Sequence, residues 1–343
     1  LRLVAHGEID SKKKDILCCG GTGCHASASQ TLMANLRDEI RAAGLEADVK
    51  VVQTGCFGFC AQGPIVKVMP DNVFYVQVTP DDAKEIVQKH IVGHEVVELG
   101  VDTLGNLDLD QLRHELASAK GKALVSIMYA NNETGVVFPM DEIAALCKEQ
   151  GAILHTDAVQ VAGKIPVDVK KTPVDMLSMS GHKFHAPKGV GIFYIRRGTK
   201  VKPFLLGGHQ ERSRRAGTEN VPYIIGLAKA CELARLGMAK EAVSVAAMRD
   251  RLEAGLLAAC PNVRVNGDPA RRLPNTLNVS FEYIEGEAIA YRLSDVGICI
   301  STGSACASGS LEPSHVLTAI GVPPQLALGA LRLSLGALTT EAD

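Results

Sequence analysis

Apolar residues recur at helical spacing over residues 27–43, where Leu32, Leu36, Ile40 and Ala43 share a face and Gly44 marks the exit. Three short apolar runs follow, at 48–53, 64–69 and 73–78, and predict strands. The Pro-Asp-Asn triplet at 70–72 has the turn chemistry of a hairpin between the last two. Residues 79–82 (Thr-Pro-Asp-Asp) read as a helix start, with the helix reaching about residue 91. Ahead of these elements, the charged stretch 11–15 leads into a short apolar run at Ile16 and Leu17. Together they predict a small α/β unit.

From about residue 96 the pattern alternates. Continuous apolar runs at 123–128, 152–155, 176–179 and 191–195 have the character of strands buried in a parallel sheet, and a helix is predicted over 139–149. Two helices are expected at 220–236 and 239–259. Beyond 260 come strand-like 263–266 and 276–281, a helix near 285–295 and a Gly/Ser loop at 302–310, which read as a second, smaller α/β lobe. The expected division is 1–95, 96–238 and 239–343. There is no internal repeat, and the join at 93–97 carries no Gly/Ser/Pro linker.

Composition narrows the classes. At roughly 150 residues per domain, the 343 residues suggest more than one domain, and 46% hydrophobic against 22% charged residues supplies ample core. A net charge of −2 gives no basic field for phosphate backbones, and 4% aromatics with no Trp give no base-stacking surface; nucleic acid is not an expected partner. No apolar run approaches the about 18–20 residues of a bilayer span, and the start lacks signal-peptide character, so no membrane association and a cytoplasmic location are expected. Leu1 in place of Met predicts a trimmed or partial chain.

Five of the ten cysteines fall within the first 60 residues, which points to metal or redox chemistry rather than a disulfide scaffold. Cys19 and Cys24 form one close pair, Cys56 and Cys60 another, with Gly20, Gly21, Gly23 and Gly58 around them. Two such pairs can give four thiolates to an iron–sulfur centre, whose sulfurs accept bonds from backbone N–H groups at glycines. Zinc and reduced, buried cysteines are the rival readings, although structural zinc sites favour tighter pairs. Cys18 is read as a spare.

In the second half, Asp157 follows one apolar run and Lys183 another, at the strand ends where an open α/β sheet places its ligand. A pyridoxal phosphate enzyme needs this pair, a lysine to condense with the cofactor aldehyde and a carboxylate to hold the pyridine nitrogen protonated. The same two residues also read as a surface lysine and a helix cap. His182 adjoins the lysine and suits proton transfer. Cys306, in a run of small residues at 301–310, suits a thiol that must reach a substrate, whereas Cys147, Cys231, Cys260 and Cys299 read as inert core.

Two resemblances follow from these motifs. CGGTGCHAS and TGCFGFCAQGPIVKVMPDNVFYVQVTPDDAKEIVQKHIVG, over about 14–94, resemble the thioredoxin-like [2Fe-2S] ferredoxin domain of NADH dehydrogenase and hydrogenase flavoprotein subunits. That resemblance implies a [2Fe-2S] cluster on Cys19, Cys24, Cys56 and Cys60, with electron transfer to a partner as its use. YANNETGVV, ILHTDAVQ, SMSGHKFHAPKGVGIFYIRRG, RAGTENV and STGSACASGSLEPSHVL, over about 96–343, resemble the NifS/IscS-type cysteine desulfurases of aminotransferase class V. This second resemblance implies a pyridoxal phosphate fold-type-I large domain followed by a small α/β domain. It implies that Lys183 carries pyridoxal phosphate, Asp157 pairs with its ring nitrogen, and Gln160 and Asn132 bond its ring hydroxyl side. Ser180 and His182 would bind phosphate, with Thr218 reaching across a homodimer interface. Arg332, with Asn132, would hold the carboxylate of L-cysteine, and Cys306 would take its sulfur, yielding alanine and a persulfide for an iron–sulfur scaffold or another acceptor.

Relative to that family, a long N-terminal stretch is replaced here by the ferredoxin-like segment. The stretch carries the loop that cradles the cofactor phosphate at a helix N-terminus and a histidine that stacks on the ring. The large domain is therefore expected to be incomplete, with weak or absent turnover unless another chain supplies the loop. Two alternatives remain at this point: an iron–sulfur electron-transfer module with an inactive desulfurase remnant, and a non-functional chimera.

Overall fold

The computed structural model describes residues 14–19, 28–54, 64–70, 73–76, 78–87, 91, 97–119, 121–302 and 313–342. The chain divides into two units, Leu1–Val97 and Glu98–Asp343.

In the first unit, β1 (Lys14–Cys19) is one of two inner strands of a four-stranded sheet. It leads to α1 (Ser29–Ala42), β2 (Val49–Thr54), β3 (Val66–Met69), β4 (Val73–Tyr75) and the short α2 (Asp82–Ile86). The sheet order is β2-β1-β3-β4, with β1 parallel to β2 and antiparallel to β3. Leu32, Met33, Leu36 and Ile40 of α1 are buried against Ile16, Val49, Val66 and Val68, so the helical apolar spacing becomes the face that covers the sheet. Gly44, at φ 71, takes the left-handed conformation that ends α1. The expected hairpin forms, with Val68 opposite Val73, and the α-helix from Asp82 runs to Ile86, with Val87 and Ile91 beyond it also in helical turns, within the predicted reach. Thr79 accounts for the start of α2: its N–H and its hydroxyl both donate to Asp82 Oδ2 at 2.8 Å.

The second unit opens with α3 (Leu109–Ser118), capped by Asp108, whose Oδ1 accepts from the N–H groups of Asp110 and Gln111. Next come β5 (Leu124–Met128), α4 (Met140–Glu149), β6 (Ile153–Asp157), β7 (Met176–Ser180) and β8 (Gly191–Ile195). The sheet order is β5-β6-β7-β8. One face packs Val125, Ile127, Leu154 and Leu177 against Leu112 and Leu116 of α3 and Ile143, Ala144 and Cys147 of α4. β5, β6 and β7 are parallel as expected, but β8 runs antiparallel to β7. The reason is reach: a parallel return needs a crossover of about a dozen residues or more, and 181–190 falls short of that.

A small hairpin of β9 (His209–Gln210) and β10 (Arg215–Ala216) precedes α5, Val221–Ala259. α5 is one continuous helix where two were expected. Gly237, in the expected gap between 236 and 239, lies mid-helix, and a lone glycine weakens a helix without ending it. The chain closes with β11 (Val263–Val265), β12 (Thr276–Phe281), α6 (Gly286–Asp295), α7 (His315–Ala319), α8 (Pro324–Leu328) and β13 (Ala330–Ser334). β11, β12 and β13 form the expected second sheet, antiparallel throughout. Cys299 departs from the inert-core expectation and is exposed, while Ile300 beside it packs against the small sheet.

Across the large sheet, His155 links three strands. Its Nδ1 lies 2.9 Å from Ser126 Oγ on β5 and its Nε2 2.9 Å from Ser178 Oγ on β7. Burial lowers its pKa from the ordinary 6.5, partly offset by the Asp157 carboxylate. The unfolded chain therefore binds this proton more readily than the folded one. The stability that His155 contributes is complete above pH 6.5 and is lost as the pH falls below that value toward its folded pKa. Denaturation midpoints should drop on acidification through this window, and His155→Gln should flatten that slope. Replacing Gly237 by Ala tests the continuity of α5. The added methyl meets only the movable carboxylate end of Glu241, so unfolding monitored by helical circular dichroism should show a gain of about 0.5–1 kcal/mol. A loss would mean that the helix breaks there.

Candidate active site

The parallel strands deliver their carboxyl ends to one side of the sheet. Asp157 ends β6 and is exposed; its Oδ1 accepts from the Val159 N–H at 2.8 Å, which fixes the carboxylate at the start of the following turn. Ser178 lies opposite Asp157 in the register, and the Ser178 carbonyl accepts from Ala158 N–H, so β7 leaves the sheet beside that turn. Ser180, the last residue of β7, places its hydroxyl 2.7 Å from His182 Nδ1. The 3-10 turn Gly181–Phe184 then exposes His182 and Lys183 while burying Gly181 and Phe184. Glycine is required at 181 because a Cβ there would lie 2.9 Å from the Val190 carbonyl oxygen and 3.1 Å from Leu227 Cδ1.

The turn 131–135 forms a second wall. Asn131 is buried, and its Oδ1 accepts from the N–H groups of Glu133 and Thr134 at 2.8 and 2.9 Å. Gly135, at φ 79, completes the turn; a Cβ there would sit 2.8 Å from Thr276 Cβ on β12. Asn132 is half-buried, and its carbonyl accepts from Arg332 Nη1 at 3.0 Å. Arg332 on β13 is half-buried too. Burial lowers its pKa from 12.5, the Glu133 carboxylate pulls it back, and its Nε is buried without a hydrogen-bond partner among the described residues.

Gln160 is half-buried in the turn after β6, and both its carbonyl oxygen and its Oε1 face Lys164 Nζ, at 2.8 and 3.4 Å. Lys164 in turn lies close enough to Lys183 and Arg332 for their charges to act on it. Asn132 bonds Arg332, Gln160 bonds Lys164, and the charges of Lys183 and Arg332 reach Lys164. Thr218 is exposed just ahead of α5, and no contact draws it toward them. Cys306 lies outside the described residues. The described residues that flank it, however, are both fastened here. Ser301 exchanges backbone bonds with Arg332, and the Ser314 hydroxyl donates to Glu133 Oε2 at 2.6 Å.

Sequence reasoning missed Glu133, Lys164 and Ser314. Glu133 is only 2% exposed, and a carboxylate that deep needs partners. Its place inside the Asn-Asn-Glu-Thr-Gly turn was the available signal. Lys164 stands four residues after Gln160, a spacing that brings side chains together.

These groups fit pyridoxal phosphate by their chemistry. The cofactor needs a carboxylate for its ring nitrogen, a lysine for its aldehyde and donors for its anionic groups. Asp157, Lys183 and the Ser180–His182 pair answer those needs in turn, and the orphaned Arg332 Nε answers the need of a bound carboxylate.

In the first unit, Cys19 ends β1, is buried against Ile65 and donates its N–H to the Ile65 carbonyl at 3.0 Å. Its register partner is Thr54, the last residue of the parallel strand β2, so the two strand exits stand side by side. Cys24, Cys56 and Cys60 lie outside the described residues. Among the described residues, no three His, Cys, Asp or Glu side chains gather to hold a metal. Cys18 points the other way, into the helix-covered core, where burial pushes its thiol up to about 12. Cys147 is pushed up to about 11, again mainly by burial.

Comparison with known proteins agrees with this division. Residues 83–343 match the aminotransferase class-V family, and residues 8–90 match the thioredoxin-like [2Fe-2S] ferredoxin family. Cysteine desulfurase 2 of Trichormus variabilis is 57% identical over 251 residues, covering 73% of this chain and 62% of the relative. Cysteine desulfurase NifS of Azotobacter vinelandii is 55% identical over the same shares. The chain thus spans about six-tenths of the length of these relatives. Among solved structures, a NifS-like protein superposes with a TM-score of 0.67 at 38% identity, covering 76% of this chain and 68% of that one. DndA from Streptomyces lividans gives 0.60 at 38% identity, covering 74% and 72%. By these matches the chain belongs to the aminotransferase class-V family, with a thioredoxin-like [2Fe-2S] ferredoxin segment preceding the aminotransferase part.

Proposed function

We propose that the second unit is a cysteine desulfurase that removes sulfur from L-cysteine and leaves alanine. The observation that carries this reading is the half-buried Arg332, whose Nε has no partner among the described residues, which is bonded to Asn132 and whose charge, with that of Lys183, reaches Lys164. Such a guanidinium suits the carboxylate of an amino acid. When bound, pyridoxal phosphate supplies the electron sink that weakens bonds around the α-carbon of the amino acid. Lys183 anchors that cofactor and moves the α-proton, with His182 beside it for proton transfer. Asp157 keeps the ring nitrogen protonated, and Gln160 and Asn132 bond the ring hydroxyl side. Ser180 and His182 hold the phosphate. Arg332, with Asn132, fixes the substrate carboxylate. Cys306 Sγ then bonds to the substrate sulfur as the carbon–sulfur bond breaks, so the cysteine ends as alanine and Cys306 as a persulfide. An iron–sulfur scaffold, or another thiol acceptor, takes the outer sulfur.

A homodimer with Thr218 contributed to the neighbouring site belongs to the same proposal. It is supported by the exposed apolar side chains on either side of Thr218, with Phe204 95%, Leu206 83% and Ile225 64% accessible. For the first unit we propose a [2Fe-2S] cluster on Cys19, Cys24, Cys56 and Cys60, serving electron transfer. The side-by-side exits of β1 and β2 support it. Thiolate chemistry of both kinds suits the reducing cytoplasm.

Three measurements test these readings. Borohydride treatment of the protein loaded with pyridoxal phosphate should fix a pyridoxyl group on Lys183, and none elsewhere. Alanine formed from L-cysteine should vanish in Cys306→Ser, while Arg332→Ala should raise KM by about 10–100-fold, the worth of one or two lost charge-assisted bonds. Iron and sulfide content should fall away in Cys19→Ser with no change at Lys183. A labelled residue other than Lys183, or alanine formation independent of Cys306, would refute the desulfurase assignment.

A further inference from the structure

Lys164 has no part in the roles assigned above, yet it lies among the residues that carry them. Its Nζ donates to the Gln160 carbonyl at 2.8 Å and faces Gln160 Oε1 at 3.4 Å. The turn that bears it is pressed against the Lys183 turn. Gly163, at φ 74, permits this, since a Cβ there would lie 3.0 Å from Phe184 Cβ and 3.3 Å from Ala234 Cβ. Resting on the cofactor reading above, we propose that Lys164 is a positioning residue, which holds the Gln160 amide in the one orientation that leaves its NH2 for the ring hydroxyl side of pyridoxal phosphate.

The chemistry of the ammonium group fixes the orientation. A lysine has three donors and no acceptor, so only an oxygen can face it. With Oε1 turned to Lys164, the Nε2 donors of Gln160 must point away from it. Without Lys164, either end of the amide could face the cofactor, and Oε1 would repel an anionic ring oxygen.

Among the described residues no carboxylate pairs with this charge. Burial, together with the charges of Lys183 and Arg332, pushes Lys164 down to about 8 from 10.5. Its polar partners among the described residues are the two oxygens of Gln160. A half-buried cation within reach of two other positive charges carries a cost that a bound anion would offset.

The test compares Lys164→Met, Lys164→Gln, Gln160→Ala and the double variant Lys164→Met/Gln160→Ala. Titration with pyridoxal phosphate, followed by its visible absorbance, should show about tenfold weaker binding in each single variant and a displaced band. The double variant should bind no worse than Gln160→Ala alone, because Lys164 acts through Gln160. Thermal unfolding without cofactor should find Lys164→Met at least as stable as the parent, and Lys164→Gln covers the case of a Met variant that does not fold. Unchanged affinity and band in both Lys164 variants would overturn the proposal, as would losses that multiply in the double variant. Failure of the parent itself to bind pyridoxal phosphate, or to yield pyridoxyl-Lys183, would instead overturn the cofactor reading, and this inference would fall with it.

Discussion

Parallel pairing of β6 with β7 is the constraint from which the rest of the site follows. Parallel strands end on the same side, so the residues leaving them must share one edge. Here the register sets Asp157 against Ser178. The carboxylate that ends one strand is thereby two residues of chain from Ser180, where the Ser180–His182–Lys183 segment departs. A slip of one residue would turn every one of these side chains to the opposite face. The buried side of the same strands prevents it, because Leu154 and Leu177 are 1% exposed in the main core and have nowhere else to go. Packing on one face thus holds chemistry on the edge.

The edge alone supplies the carboxylate and the lysine; the guanidinium arrives from the second sheet. Arg332 sits on β13, and β12 beside it is tied to the turn 131–135, where Asn278 Nδ2 donates to the Glu133 carbonyl at 3.2 Å. Within that small sheet, Asn266 Nδ2 bonds both Asn278 Oδ1 at 2.8 Å and Ser280 Oγ at 2.7 Å, all three residues being buried. A buried polar chain of this kind tolerates few alternative arrangements, since any break leaves an unsatisfied group. Glu133 completes the connection. It acts as a countercharge to Arg332 and accepts from Ser314, so Ser301 and Ser314, on either side of Cys306 in the chain, are tied to Arg332 and Glu133.

Much of this was legible in the sequence, for reasons that differ by element. Helical spacing at Leu32, Leu36 and Ile40 became the buried face of α1, and the continuous runs became β5, β6, β7 and β8, because burial on one or both faces leaves a periodic trace. Strand direction left none: β8 is as apolar as its neighbours, and only the short reach from β7 makes it antiparallel. The break expected between 236 and 239 does not form, since packing holds Leu227 and Ala230 on one side of it and Val245 on the other. Asp157 and Lys183 were visible as residues at strand ends. Glu133 and Lys164 were not, because their significance lies in which charges surround them, and those come from positions far apart in the chain.

The cysteines sort by the same logic of environment. Cys18 and Cys19 are adjacent, but strand alternation sends the first toward α1, where burial keeps its thiol protonated far above neutral pH. Cys19 instead meets the sheet end beside Thr54. Cys147, under α4 in the main core, is held protonated by burial and by the Asp175 carboxylate. A thiolate nucleophile or cluster ligand needs the reverse surroundings, with cations or donors nearby and apolar cover incomplete. In the second unit cations gather where the charges of Lys183 and Arg332 reach Lys164, with Glu133 as a countercharge to Arg332. On the function proposed above, this gathering of cations is what an anionic cofactor and an amino-acid carboxylate would meet.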